Sequence, residues 1–263
     1  MSALLRRGLL DRRRALIVWA LSVGLTGAFF MLVWPSIDDS ISQALDSYPD
    51  SVKKAFGITT LSNAEQYLNA ELFSFILPFA LAIFALRSVA AAIDGAQERG
   101  HLDVLLSAPV SRRRLVAATF AAIAVELAAI LAAAWALTCL GSLVAGAALH
   151  AGLARARYRN LWPLAIFPAP IAMLVTGVSQ HAGAVTGVAA GVIVAMYVLD
   201  LLGRLSDSIE PFRWLSAFRY YGTAAVDGID PLAFAGLTAA GVVLAAAGAL
   251  LVARRGLPGW DVC

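Results

Sequence analysis

Six apolar stretches alternate along this chain with short charged or polar segments. They run from Ala15 to Trp34, Leu72 to Ile93, Leu115 to about Cys139, Leu161 to Val178, Ala182 to Leu202 and Leu232 to Val252. About 20 apolar residues in a helix cross a hydrocarbon core of roughly 30 Å. Inside a bilayer every backbone polar group must be satisfied within the protein, which favours helices. The pattern therefore predicts an all-α polytopic membrane protein with six transmembrane helices in one domain over 1–263. Its expected parts are an interfacial helix at 1–14, spans one and two at 15–93 around an outer loop at 36–70, and a cytoplasmic loop at 94–114. Spans three to six follow at 115–253, then a tail at 254–263. Pro163, Pro168 and Pro170 predict a kinked or broken outer half of span four.

Basic residues near the helix ends set the orientation. Arg6, Arg7, Arg12, Arg13 and Arg14 precede the first span, and Arg254 and Arg255 follow the last. Both termini are thus expected on the cytoplasmic side of a plasma membrane, with Arg99 and Arg112 to Arg114. The loop from Ser36 to Ala70 is mostly acidic and falls outside. Arg155, Arg157 and Arg159 run against this scheme, because six crossings place them outside. The apolar run from Leu115 to Leu149 is also too long for one simple crossing. Either span three projects beyond the membrane, or Gly141 to Leu149 bends along the outer interface.

A mean hydropathy of +0.80 excludes an ordinary soluble domain. The basic balance (pI ≈ 9.1) does not point to nucleic acid, since the arginines gather at helix ends. Arginine and alanine usage fits a GC-rich bacterial genome. A retained first helix is expected, because no small-residue cleavage site follows it. Cys139 and Cys263 fall at opposite ends of the topology and are not expected to pair.

Between spans two and three, Leu102, Leu105 and Leu106 are spaced to give a short helix one apolar face. Pro109 should end it, and Ser111 can cap the next helix. On residues alone this is an amphipathic connector resting on headgroups. At the N-terminus, Leu4, Leu5, Leu9 and Leu10 among arginines describe a helix lying on the inner leaflet.

The connector resembles one family, the permease subunits of ABC-2 type exporters. Glu98-Arg99-Gly100, Leu105-Leu106-Ser107 and Pro109-Val110-Ser111-Arg112 stand in that family's order and spacing, with His101 in place of a frequent Thr. The resemblance implies that this loop is a coupling helix docking into a cytosolic ATPase. Leu102, Leu105 and Leu106 would be its knobs, with Glu98, Arg99 and Arg112 as a polar rim. It also implies that residues 1–14 are an interfacial elbow helix. A second likeness lies in Pro211-Phe212-Arg213-Trp214-Leu215-Ser216-Ala217-Phe218-Arg219-Tyr220-Tyr221, where Ala217 replaces the usual Pro. By pattern alone Phe212, Trp214, Phe218, Tyr220 and Tyr221 form an aromatic belt; the family implies a re-entrant outer helix near an exit gate. The implied partners are an ATP-binding subunit, a second permease copy or a similar permease, and membrane lipid. The implied activity is export.

Gly183, Gly187 and Gly191 recur every four residues in span five and give a flat strip for close packing, within the chain or at a sliding subunit interface. Ionisable residues inside spans are costly. Arg87 and Glu126 lie at compatible depths on antiparallel neighbours, so they are expected to pair. Asp200 is expected at the outer interface. No phosphate-binding loop, His-Glu-x-x-His or Gly-x-Ser-x-Gly motif occurs, and His101, His150 and His181 lack ligand spacing. Neither an enzyme nor a cofactor is expected. Two other readings stay open: a proton-coupled secondary transporter using Glu126, and a non-transporting membrane scaffold.

Overall fold

The computed structural model describes residues 13–46, 64–97, 112–179, 181–221 and 230–254, with no strand among them. Five of its helices are long and apolar enough to cross a membrane: Arg13–Ser36, Ala64–Ala92, Val116–Ala145, Gly183–Leu205 and Pro231–Val252. These coincide with expected spans one, two, three, five and six.

The first helix, α1 (Arg13–Asp46), runs on through Pro35 instead of ending at Trp34. Residues 36–46 and 64–70 of the expected outer loop are therefore helical. Proline removes one helical hydrogen bond, but Ile37, Ile41 and Leu45 repeat every four residues and continue a helical pattern. The second helix, α2 (64–97), is α-helical over Ala64–Leu68 and Leu77–Gln97. Between them Asn69–Ile76 is π-helical, and the Ser74 hydroxyl donates to the Asn69 carbonyl there at 2.8 Å. Ala64, Tyr67, Leu68 and Leu72 are buried at helical spacing, which draws this start into the bundle.

Helix α3 (Arg112–Ala145) continues past Cys139, the expected end of span three. Gly146 ends it with φ +67°, a left-handed conformation open to glycine. The Gly146 and Ala147 amides donate to the Leu143 and Ser142 carbonyls, closing a Schellman cap. The chain then turns into α4 (Ala151–Ile166) and α5 (Pro168–Thr176), which occupy the place of the expected fourth span. The break at Phe167 has a local cause. Pro168 and Pro170 carry no amide hydrogen, and the Phe167 amide bonds Leu164 three residues back. Most of 160–173 is buried, so this irregular backbone is shielded by protein. The remaining elements are α6 (Ala182–Leu205), a 3-10 turn (Glu210–Leu215), α7 (Ala217–Tyr221) and α8 (Pro231–Arg254).

Helix α1 lies along α3 through small residues. A Cβ on Gly141 would come within 2.6 Å of the Ala28 Cα, and one on Gly27 would collide with Thr138 and Tyr158. The α4–α5 pair sits at the centre, touching α2, α3, α6 and α8. Around it Leu72, Leu77, Leu81, Ile123, Leu127, Ile130, Leu161 and Ile166 are almost wholly buried.

Candidate functional site

The start of α2, the α3–α4 turn and the segment 206–221 meet at one end of the bundle, called here the loop end. Two buried carboxylates organise it. Glu65, in the first turn of α2, accepts the backbone amide of His150 at 2.9 Å and faces His150 Nδ1 at 2.9 Å. Arg157 of α4 donates from Nη1 to the Glu65 carbonyl at 2.8 Å, and its Nη2 stands 3.6 Å from the carboxylate. Glu65 also benefits from the positive end of its helix. The three arginines that opposed the orientation scheme therefore do not act as one group. Arg157 is turned inward onto a carboxylate, while Arg155 and Arg159 stay exposed.

The second carboxylate, Asp200, is 4% exposed near the end of α6. Arg204 donates to its Oδ2 from Nε at 2.9 Å and lies 2.7 Å away through Nη2. Arg213 takes Oδ1 at 3.0 Å through both Nε and Nη2. Each carboxylate oxygen thus holds one guanidinium, which fixes the 3-10 turn against α6. Gly203 makes this possible, because a Cβ there would collide with the Arg213 side chain. The expectation that Asp200 was only interfacial missed this clamp. Its i,i+4 relation to Arg204 was the available signal.

The aromatic residues singled out by sequence divide into two sets. Phe212, Trp214 and Tyr220 are exposed at 56%, 59% and 44%. Phe218 is buried among Phe79 and Tyr197. The Tyr221 hydroxyl donates to the Phe73 carbonyl of the π-helical stretch at 3.3 Å, and the Tyr221 carbonyl accepts from Asn160 Nδ2 at 3.2 Å. Burial pushes the Tyr221 phenol upward. The Ser216 hydroxyl bonds the Met196 carbonyl at 2.7 Å, and the Phe218 amide donates back to that hydroxyl at 3.2 Å. Residues 206–221 are therefore tied to α2, α4 and α6 together.

Glu98, Arg99, Gly100, Leu102, Leu105, Leu106 and Pro109 lie outside the described residues, as does most of the N-terminal interfacial segment. Arg112 is the first described residue of α3. Arg87 is on an exposed face of α2, while Glu126 is 1% exposed inside α3. Gly183, Gly187 and Gly191 are all exposed, and a Cβ on any of them would meet nothing within 4 Å. Among the described residues nothing fills the strip.

Five membrane-length apolar helices around a buried, broken sixth segment, with ionic clamps at one end, define a multi-pass helical membrane protein. The family model for "Multidrug efflux system permease Rv1217c, C-terminal domain" matches residues 8–252. The chain belongs to that permease family. No curated protein matches it.

Proposed function

We propose that this chain is the membrane-spanning permease subunit of an ATP-driven exporter of the ABC-2 type, driven by a separate cytosolic ATP-binding subunit. The observation that carries the reading is the family match over 8–252, to a domain described as a multidrug efflux permease. The Glu98-Arg99-Gly100 to Arg112 pattern, lying between two membrane-length helices, supports it. In this reading α4 and α5 together make the sixth crossing and both termini are cytoplasmic. Residues 1–14 form the elbow, and Leu102, Leu105 and Leu106 seat in the ATPase. The tied segment 206–221 is the rim of the exit, and the open Gly183-Gly187-Gly191 strip faces a second permease copy.

The mechanism follows from rigidity at one end and a lever at the other. Nucleotide-driven closure of two ATPase subunits would move the loop at 94–114, and with it α2 and α3. The loop end resists through Glu65–Arg157 and Asp200–Arg213, so motion at the lever becomes a tilt of the bundle. A second reading rests on Glu126, a carboxylic acid 1% exposed in the middle of α3. Buried acids in spans mark proton relays as well as structural sites.

Gentle purification from membranes tests the proposal. An ATP-binding subunit should come with the wild-type chain, and Leu105→Asp should lose both that subunit and its stimulated ATP hydrolysis. Retention of both in Leu105→Asp would remove the coupling-loop assignment. Transport that survives ATP depletion but fails in Glu126→Gln would favour the proton-coupled reading.

A further inference from the structure

A groove of about 360 Å³ opens on the side of the bundle between α3, α4 and α8. Its floor is Leu131 and Tyr158, both buried, and its deeper wall is Trp162 stacked on Phe234 at 6.5 Å. Arg155 and Arg159 line the same groove; four residues apart, they share one face of α4. Arg155 stands 5.7 Å from the Trp135 ring. The ion pairs of the described residues fall on Glu65 and Asp200, so neither Arg155 nor Arg159 is neutralised by them.

Depth gives this groove its meaning. About 20 residues separate Arg114 from Trp135 on α3, roughly 30 Å of helix rise, which is about one hydrocarbon thickness. Trp135, whose Nε1 donates to the Ala151 carbonyl at 3.1 Å, therefore sits at interface level with the start of α4. From there the groove descends: Arg155 is near the interface, Arg159 one turn deeper, and Trp162 and Ala128 deeper still. It offers one cation just below the interface, a second one turn further in whose long side chain leans back toward the headgroups, and apolar walls beneath them. A cationic amphiphile would be repelled at the top, and a soluble anion would leave the lower walls empty.

We propose that this groove holds an anionic phospholipid, its phosphate at Arg155 and Arg159 and an acyl chain along Ala128, Ala132 and Phe234. This explains why arginines persist on the side that the orientation rule disfavours. Arg157 answers to Glu65, and its two neighbours answer to the bilayer. The proposal rests on the membrane-spanning reading and on the depth of Trp135, and not on an ATPase partner.

The test is competition in nanodiscs with equal phosphatidylglycerol and phosphatidylcholine, reading lipids retained by native mass spectrometry of the full chain without nucleotide. Basic residues near a membrane surface each favour anionic lipid, so two of them should give roughly tenfold enrichment of phosphatidylglycerol or more. Arg155→Gln with Arg159→Gln should bring retention to parity, and Arg87→Gln, an exposed arginine elsewhere, should leave the enrichment intact. Ala132→Trp keeps both guanidinium groups but fills the groove, and should lower retention even if the double variant folds poorly. Millimolar glycerol phosphate should not displace the lipid. Parity in the wild type, wild-type enrichment in both groove variants, or displacement by glycerol phosphate would each overturn the proposal. Because no ATPase is present, failure here leaves the exporter reading untouched.

Discussion

Two sets of glycines in this molecule look alike in sequence and behave oppositely. Along the α1–α3 seam, Gly24, Gly27 and Gly141 are pressed against Leu137, Thr138 and Ala28, with no room for a side chain. On α6, Gly183, Gly187 and Gly191 form the more regular series, and a Cβ on any of them would meet nothing within 4 Å among the described residues. The regular series drew attention because spacing of four marks a flat helix face. The seam glycines are spaced irregularly on one helix and answered by a single glycine on another. Spacing thus reports that a face is flat, while only the fold reports whether it is occupied. In a bilayer the distinction has weight, since lipid and protein are equally apolar and close packing replaces the hydrophobic drive.

The largest effect is expected where α4 braces the seam. Tyr158, whose hydroxyl lies 2.7 Å from Thr138 Oγ1 beside Gly27, is preceded by Arg157 on Glu65. Arg157→Met removes the guanidinium and leaves the Glu65 carboxylate buried beside His150. Breaking a buried pair from one side costs about 3–5 kcal/mol, and thermal melting in detergent should show the largest loss of the three variants argued here. The double variant Glu65→Met with Arg157→Met should recover most of it, because neither charge is then stranded. If the single variant melts like the wild type, the loop end is not braced by this pair.

Next comes the seam itself. Gly141→Leu places a side chain against the Ala28 backbone, so no rotamer change can relieve it and the helices must part. Overpacking of this kind costs about 1–3 kcal/mol. The same melting assay should register it, with lower yield of folded protein from membranes. A Gly141→Leu variant as stable as the wild type would mean that α1 and α3 do not approach as described.

Much of the fold was legible because membrane helices carry their signal in every residue. Spans one, two, three, five and six follow from runs of apolar side chains, and the break at Phe167 follows from Pro168 and Pro170 lacking amide hydrogens. Helix 36–46 was hidden by Asp38, Asp39 and Asp46, whose charge reads as loop although Ile37, Ile41 and Leu45 keep helical spacing. At the loop end, locality decided what could be read. Asp200 and Arg204 are four apart and could have been paired by eye. Glu65 and Arg157 are separated by 92 residues, and nothing short of the folded bundle brings them together. Arg87 and Glu126 lie at matching depth on neighbouring helices, yet the first is exposed and the second buried, a difference that depth alone does not reveal.

The smallest expected effect sharpens the glycine comparison most. Gly187→Leu adds a large apolar side chain to a face with open space, so the fold of one chain has no reason to resist it. Helix propensity even favours leucine over glycine in a helix interior, by up to about 1 kcal/mol. In dilute detergent the melting temperature should therefore stay at the wild-type value or rise slightly, in contrast to Gly141→Leu. A loss as large as that of the seam variant would show that the strip is filled after all, because only occupied space can penalise added volume. If the loss appeared in membranes and vanished on dilution, the occupant would be another molecule rather than this chain. The melting experiment on a single pair of glycine variants, repeated at two protein concentrations, separates these cases by the position of the added side chain alone.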